Sequence, residues 1–133
     1  MTRLLITFFI FLSTTAIGQN KEKYFCTINT VSLGVRHPPQ SCYVEIKRSE
    51  EEIKTDCFGG INQIFKENSL RLPEAISISK VNISRDVIDI AQSTEFNKTK
   101  TYQAMQLDTL LLTLRGSSDG PFGASTISGR CIR

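Results

Sequence analysis

The residues of this chain with the widest possible chemistry are four cysteines and one histidine. Cys26, Cys42, Cys57 and Cys131 could form disulfides, and three of them could instead join His37 around a metal ion. A structural zinc site usually takes two thiolates from a close C-x2-C pair, whereas the spacing here is C-x10-H-x4-C-x14-C. The even count therefore favours two disulfides in an exported chain, and we predict no metal site.

The segment 42–57 predicts how the cysteines pair, because its sequence CYVEIKRSEEEIKTDC suits a β-hairpin. With a reversal between Ser49 and Glu50, Cys42 lies opposite Cys57, as a disulfide requires. Apolar and oppositely charged cross-strand pairs would stabilise this hairpin. The expected pairs are Val44 with Thr55, Ile46 with Ile53, Glu45 with Lys54, Lys47 with Glu52 and, beside the turn, Arg48 with Glu51.

A helix over the same segment is the alternative. Ser49 and Glu52 have the spacing of a capping box at a helix N-terminus. The Ser49-Glu50 pair also lacks the Asn-Gly or Asp-Gly chemistry of a two-residue hairpin loop. We favour the hairpin, which leaves Cys26 and Cys131 to form a second disulfide that joins the two ends of the domain.

Catalytic motifs are absent from the sequence. His37 is the single histidine, so any Ser-His-Asp or Cys-His site would have to use it, but Pro38 and Pro39 place it in a loop. The chain has no G-x-S-x-G, P-loop, GxGxxG or H-E-x-x-H motif, and we predict no cofactor. Asp86 and Asp89 are the closest isolated carboxylates, which leaves a small secreted hydrolase with a carboxylate pair as an alternative function.

The N-terminal end has the order of a secretory signal peptide. Arg3 precedes the apolar run LLITFFIFL, whose nine residues are too few to cross a bilayer as a helix. Ala16 and Gly18 stand at the −3 and −1 positions of a cut before Gln19. We therefore expect residues 1–18 to be removed.

Residues 19–133 are long enough for a single globular domain and contain no second long apolar run, so we expect no membrane span. Their net charge of +2, from 15 basic and 13 acidic residues, is too small for phosphate binding by counterion release, which argues against nucleic acid. All the cysteines follow the cut, as in secreted or periplasmic proteins. In a eukaryotic source, Asn82 and Asn97 would be glycosylation sites.

Much of this domain has the period-two alternation of β-strands. Between Ile78 and Val81 the apolar positions change phase, which predicts a bulged strand. The predicted strands are 23–35, 41–48, 70–84, 87–91 and 124–132.

Two segments favour or allow a helix. The segment 58–69 opens with a glycine pair and predicts a short helix that buries Ile61, Ile64 and Phe65. The segment 101–116 stays open, because its leucines recur at helical spacing and also alternate as in a strand. We therefore predict a β-rich α+β domain of antiparallel strands with one or two short helices, braced by two disulfides.

The stretch GSSDGPFG, residues 116–123, predicts an exposed loop with a turn through Asp119 and Gly120. Phe122 either folds back onto the core or projects as the anchor of an interface, with Asp119 in a polar rim. We interpret the chain as a small exported, non-catalytic binding or interaction domain, with a protein as the expected partner. A protease-inhibitor-like module is the second alternative, beside the hydrolase.

Cleavage before Gln19 is directly testable. We expect the intact mass of the protein exported by its native host to match residues 19–133, because the n-region, apolar run and small residues follow the order that signal peptidase requires. A mature N-terminus at Met1, or recovery of the protein from the cytosol, would contradict export.

Overall fold

The computed structural model of the protein describes residues 21–71, 74–121 and 123–133. The predicted signal peptide, residues 1–18, lies outside this part of the chain. Strands make up 73% of the structure. The described residues contain no α-helix, only a single 3-10 turn over Arg48–Glu50. The predicted α+β class is therefore wrong: the fold is all-β.

The strands form one antiparallel sheet with nearly sequential order. This order is β5-β4-β3-β1-β11-β10-β9-β8-β7-β6, with β2 added beside β1. In chain order the strands are β1 (Lys21–Ser32), β2 (Val35–Arg36), β3 (Gln40–Lys47), β4 (Glu52–Thr55), β5 (Gln63–Lys66), β6 (Asn68–Arg71), β7 (Ala75–Ile83), β8 (Val87–Phe96), β9 (Thr99–Asp108), β10 (Thr113–Gly120) and β11 (Gly123–Ile132).

The sheet closes on itself. Its first and last long strands pair side by side, with Cys26 opposite Cys131. At the other junction only Glu67 separates β5 from β6, although these strands lie at opposite ends of the strand order. Since consecutive Cα atoms are roughly 3.8 Å apart, the two edges must meet, and β5 also contacts β7. The result is a nearly closed, barrel-like sheet, called the barrel below.

Two disulfides brace the barrel, and both have the predicted pairing. Cys26–Cys131 joins β1 to β11, and Cys42–Cys57 joins β3 to the segment after β4.

The connection between β3 and β4 is a 3-10 turn followed by a left-handed residue, Glu51, rather than a two-residue loop. The predicted register of the two strands is confirmed: Val44 lies opposite Thr55, Glu45 opposite Lys54, Ile46 opposite Ile53 and Lys47 opposite Glu52.

The segments with helical patterns consist of strands and turns. Phe65 of β5 is buried, but Ile61, which precedes this strand, and Ile64 are 66% and 61% exposed, so the predicted helix over 58–69 is wrong. Strand alternation explains this, because Ile64 points outward beside an inward Phe65. The open segment 101–116 divides between β9 and β10 and contains no helix.

The apolar core fills one end of the barrel, the end at which β1 begins. Its members are inward-facing side chains from most of the long strands, so they meet when the sheet curves closed. The most completely buried apolar side chains are those of Tyr24, Val44, Ile46, Ile53, Phe65, Ile88, Leu107 and Leu114. We call this the closed end.

An arginine ties three segments together across the closed end. The Arg48 guanidinium forms an ion pair with Glu22 of β1 and donates hydrogen bonds to the carbonyl oxygens of Ser84 (2.7 Å) and Arg85 (3.2 Å) in the β7–β8 turn. The predicted pair of Arg48 with Glu51 is therefore wrong. The hydrogen bond from Arg48 lowers the pKa of the Glu22 carboxyl, and a hydrogen bond from the Tyr24 hydroxyl acts in the same direction against the effect of burial.

This ion pair predicts a pH-dependent stability. The folded pKa of Glu22 lies below its unfolded value of about 4.3, so the pair stabilises the fold above that pH and its contribution is lost as the pH falls through the lower, folded pKa. We expect Glu22→Gln to reduce the free energy of unfolding at neutral pH by on the order of 1 kcal/mol, because solvent screens this pair, whose side chains are 30% and 35% exposed.

Chemical denaturation at two pH values measures this effect. At acidic pH the difference between wild type and Glu22→Gln should be smaller than at neutral pH, because protonation removes the charge of Glu22. The control variant Glu50→Gln, whose side chain is 57% exposed, should change stability little at either pH. An equal loss for Glu22→Gln at both pH values would show that its charge is not what stabilises the fold.

Closure also depends on a glycine. A Cβ added to Gly129 of β11 would lie 2.2 Å from the carbonyl oxygen of Thr27 and 2.9 Å from the Cα of Ile28, both in the backbone of β1. Neither atom can move away without disturbing the β1–β11 ladder. Only glycine therefore permits this close approach of the two strands.

We expect Gly129→Ala to destabilise the protein by about 1–3 kcal/mol, because the added methyl group overpacks against backbone rather than against a movable side chain. The matched control is the exposed neighbour Ser128→Ala, which should change the free energy of unfolding by less than about 0.5 kcal/mol. Equal denaturation midpoints for the two variants would contradict the close approach.

Candidate functional site

The inside of the barrel changes from apolar to polar halfway along its length. Strands β8 and β9 show the change most completely, because they are paired over their whole length. From the closed end to the opposite end, their inward-facing pairs are Ile88–Leu107, Ile90–Met105, Gln92–Gln103 and Thr94–Thr101. The first two pairs belong to the core, and the last two line an open space.

Neighbouring strands change in the same way. On β11 the inward residue after Ile127 is Ser125, and on β1 Thr30 and Ser32 follow the buried Ile28. On β7 the inward positions beyond Val81 and Ile83 are two serines, Ser79 and Ser77. The end of the barrel opposite the closed end is therefore lined by hydroxyl and amide groups, and we call it the mouth.

The apolar phase shift in β7 is the sequence signal of this change. The strand pairs with β8 without interruption from Ala75 to Ile83, so the predicted bulge is wrong. Ile76 and Ile78 instead face outward, 37% and 41% exposed, while the serines between them face inward. Near the mouth the strand is apolar outside and polar inside.

Two cavities occupy the mouth. Lobe 1 has a volume of about 470 Å³ and is lined by Gln63, Ile64, Phe65, Gln92, Thr94, Thr101 and Gln103. Lobe 2 has a volume of about 460 Å³, and its lining includes Thr30, Ser32, Gln40, Phe58, Ser118 and Ser125. Gln63 and Gln103 line both lobes. Each volume lies in the range of small-molecule sites.

The lining is uncharged. Among the described residues that line the two lobes, His37 is the single titratable side chain, and no carboxylate, lysine or arginine is present. The histidine backbone N–H donates to the Thr30 carbonyl at 2.8 Å, which fixes its loop against β1. The mouth can therefore form neutral hydrogen bonds in many directions but offers no fixed counter-charge.

Some lining side chains are already hydrogen-bonded to their neighbours, and others are available to hydrogen-bond a ligand. The Gln92 amide nitrogen donates to the hydroxyls of Ser79 (3.3 Å) and Ser77 (3.4 Å). Within the described parts of the chain, no side-chain hydrogen bond involves the amides of Gln63 or Gln103. A primary amide offers one acceptor and two donors, so these two side chains can bind a ligand without breaking an internal contact.

The structure changes the interpretation of the stretch 116–123. Its first five residues belong to β10 and its last to β11, so the predicted loop is wrong. Glycine occurs here because inward Cβ atoms would clash: one on Gly116 would lie 2.8 Å from Ile127 Cγ1, and one on Gly120 would lie 2.9 Å from Thr101 Cγ2.

The two predicted binding residues of that stretch remain untested. Asp119 is an exposed residue of β10, opposite Tyr102 and Ala124 in neighbouring strands. Phe122 lies outside the described residues. Their role in binding stays a prediction.

The carboxylate pair does not lie in the mouth. Asp86 belongs to the turn between β7 and β8, and Asp89 lies on β8 opposite Asn82 and Gln106.

The two predicted glycosylation sites, Asn82 and Asn97, are exposed, and their glycosylation stays a prediction.

One group of potential metal ligands occurs near the hairpin. Cys42, Asp56 and Cys57 place their ligand atoms within 4.8 Å of one another. The two sulfur atoms are joined in a disulfide, and the Asp56 carboxylate accepts a hydrogen bond from the Tyr43 backbone N–H at 2.8 Å. These atoms therefore serve the fold, because metal binding by cysteine requires thiolates.

Comparison with protein-family models, with curated proteins and with solved structures finds no match to this chain. No helix in the described segments is both long and apolar enough to cross a membrane. Function must therefore be inferred from the chemistry of the mouth. Sequence reasoning missed this site, because glutamine, serine and threonine at alternate strand positions normally indicate the solvent face.

Proposed function

We propose that this chain is a small exported binding domain that holds a neutral, hydrogen-bonding small molecule in the mouth of its barrel. The observation that supports this most is the change of the inward-facing positions from apolar residues to glutamine, serine and threonine. In a small barrel the interior is either filled by side chains or holds a ligand. Polar residues at core positions are unfavourable for folding unless they serve a function.

The absence of charge in the described lining indicates a neutral ligand. An ion that enters a partly enclosed site loses hydration, and this loss is unfavourable unless an opposite charge replaces the water. The described residues of the two lobes offer amides, hydroxyls, apolar side chains and His37. A neutral molecule with several hydroxyl or amide groups can instead exchange its hydrogen bonds with water for hydrogen bonds with the protein.

The mouth favours a small molecule over the protein partner inferred from sequence. A concave site with convergent polar groups suits a small ligand, whereas protein interfaces are larger and flatter. Two disulfides are compatible with an oxidising, secreted or periplasmic location, where such a ligand would be captured. The hydrolase alternative has no carboxylate in either lobe among the described residues.

Titration of the isotopically labelled protein, followed by NMR, tests this function. The panel contains neutral sugars, nucleosides and small amides, each with a charged counterpart. We expect at least one neutral compound to shift the resonances of Gln63, Gln92 and Gln103, and the affinity to be independent of salt, because no charge is involved. Binding only of charged compounds, or shifts confined to the outer face, would contradict the proposal.

A further inference from the structure

We infer that the ligand is a neutral saccharide with at least two sugar units, one in each lobe of the mouth. This inference rests on the proposed binding function and specifies its ligand. It follows from the similarity of the two lobes and from the functional groups that each lobe presents.

The two lobes are alike in size and share one wall. Their volumes are about 470 Å³ and about 460 Å³, and Gln63 and Gln103 line both. Each lobe also includes one phenylalanine, Phe65 in lobe 1 and Phe58 in lobe 2. The two rings are in edge-to-face contact with centroids 6.3 Å apart, so one apolar floor continues beneath both lobes.

Each lobe then adds polar groups of its own beside the shared glutamines. Lobe 1 contributes Gln92 with two threonines. Lobe 2 contributes a larger set, which is Gln40 and His37 with four hydroxyl side chains, Thr30, Ser32, Ser118 and Ser125, the last two with their oxygens 2.6 Å apart. An amide and several hydroxyls on either side of a shared pair of glutamines suit a ligand with one hydroxyl-bearing unit in each lobe. A single compact molecule would use only one of the two lobes.

Sugar hydroxyls fit these groups better than other neutral ligands do. Neighbouring hydroxyls on a sugar ring can donate and accept side by side, which matches the adjacent N–H donor and carbonyl acceptor of a glutamine amide. Serine and threonine hydroxyls likewise both donate and accept. The two phenylalanines are 1% (Phe65) and 8% (Phe58) exposed, so they bound the lobes from below and leave recognition to the polar side chains. Acidic sugars and sugars with a free, charged amino group are disfavoured, because the described lining has no opposite charge to pair with them.

Calorimetry on the secreted, oxidised protein tests the length of the ligand. The probes are glucose, the disaccharides maltose and cellobiose, N,N′-diacetylchitobiose with its monosaccharide N-acetylglucosamine, and the trisaccharide maltotriose. We expect at least one disaccharide to bind about tenfold or more tightly than its own monosaccharide, because its second unit fills the second lobe without a new loss of translational freedom. A third unit should add little.

Variants then assign the units to the lobes. Gln92→Leu in lobe 1 and Gln40→Leu in lobe 2 should each reduce the disaccharide affinity towards that of the monosaccharide, whereas Gln103→Leu should weaken both sugars. Gln106→Leu, on the exposed outward face of β9, is the matched control and should leave the affinities unchanged. Thermal midpoints close to that of the wild type would show that the variants are folded.

Each other outcome has a defined meaning. Equal affinity for a monosaccharide and its disaccharide, or binding of a nucleoside or amide without any saccharide, would overturn the two-unit inference and leave the proposed binding function intact. Resonances of the mouth that do not respond to any neutral compound would overturn both.

Discussion

The pairing of β1 with β11 is the contact on which the rest of the structure depends. It joins the two ends of the sheet, and the Cys26–Cys131 disulfide fixes it across a sequence separation of 105 residues. A crosslink that closes so long a loop contributes roughly 4–5 kcal/mol by restricting the unfolded chain. Closure also gives the sheet an inside and an outside, so the period-two alternation of each strand becomes a division between interior and surface.

Within this closed sheet, apolar packing and polar lining lie at opposite ends. Apolar side chains fill the closed end, and the Arg48 ion pair with Glu22 ties β1 to the β3–β4 hairpin and the β7–β8 turn. The mouth can then present amides and hydroxyls without a complete apolar core beneath them, because the disulfides and the closed end hold the strands together. Strand β7 shows this most clearly, because near the mouth its isoleucines face outward and its serines face inward.

The sequence predicted what is local and failed where the global shape decides. The register of the 42–57 hairpin followed from apolar and charged pairs that are neighbours in any hairpin, and the disulfide pairing followed from that register. The predicted helix over 58–69 failed because the spacing of its isoleucines does not show which of them face the interior. The predicted loop over 116–123 failed because glycine can mark either a turn or a close approach of strands, and here Gly116 and Gly120 allow a close approach inside the barrel. The mouth itself was not predicted, since inward glutamines look like solvent-facing ones until the faces of the strands are known.

A high-resolution crystal structure of the protein with both disulfides formed is the most direct test of this division between a packed end and a polar mouth. We expect ordered water in both lobes, hydrogen-bonded to the amides of Gln63 and Gln103, above a closed end without internal water. A dry mouth in which these two glutamines pack against each other, or a sheet that opens between β1 and β11, would contradict the division.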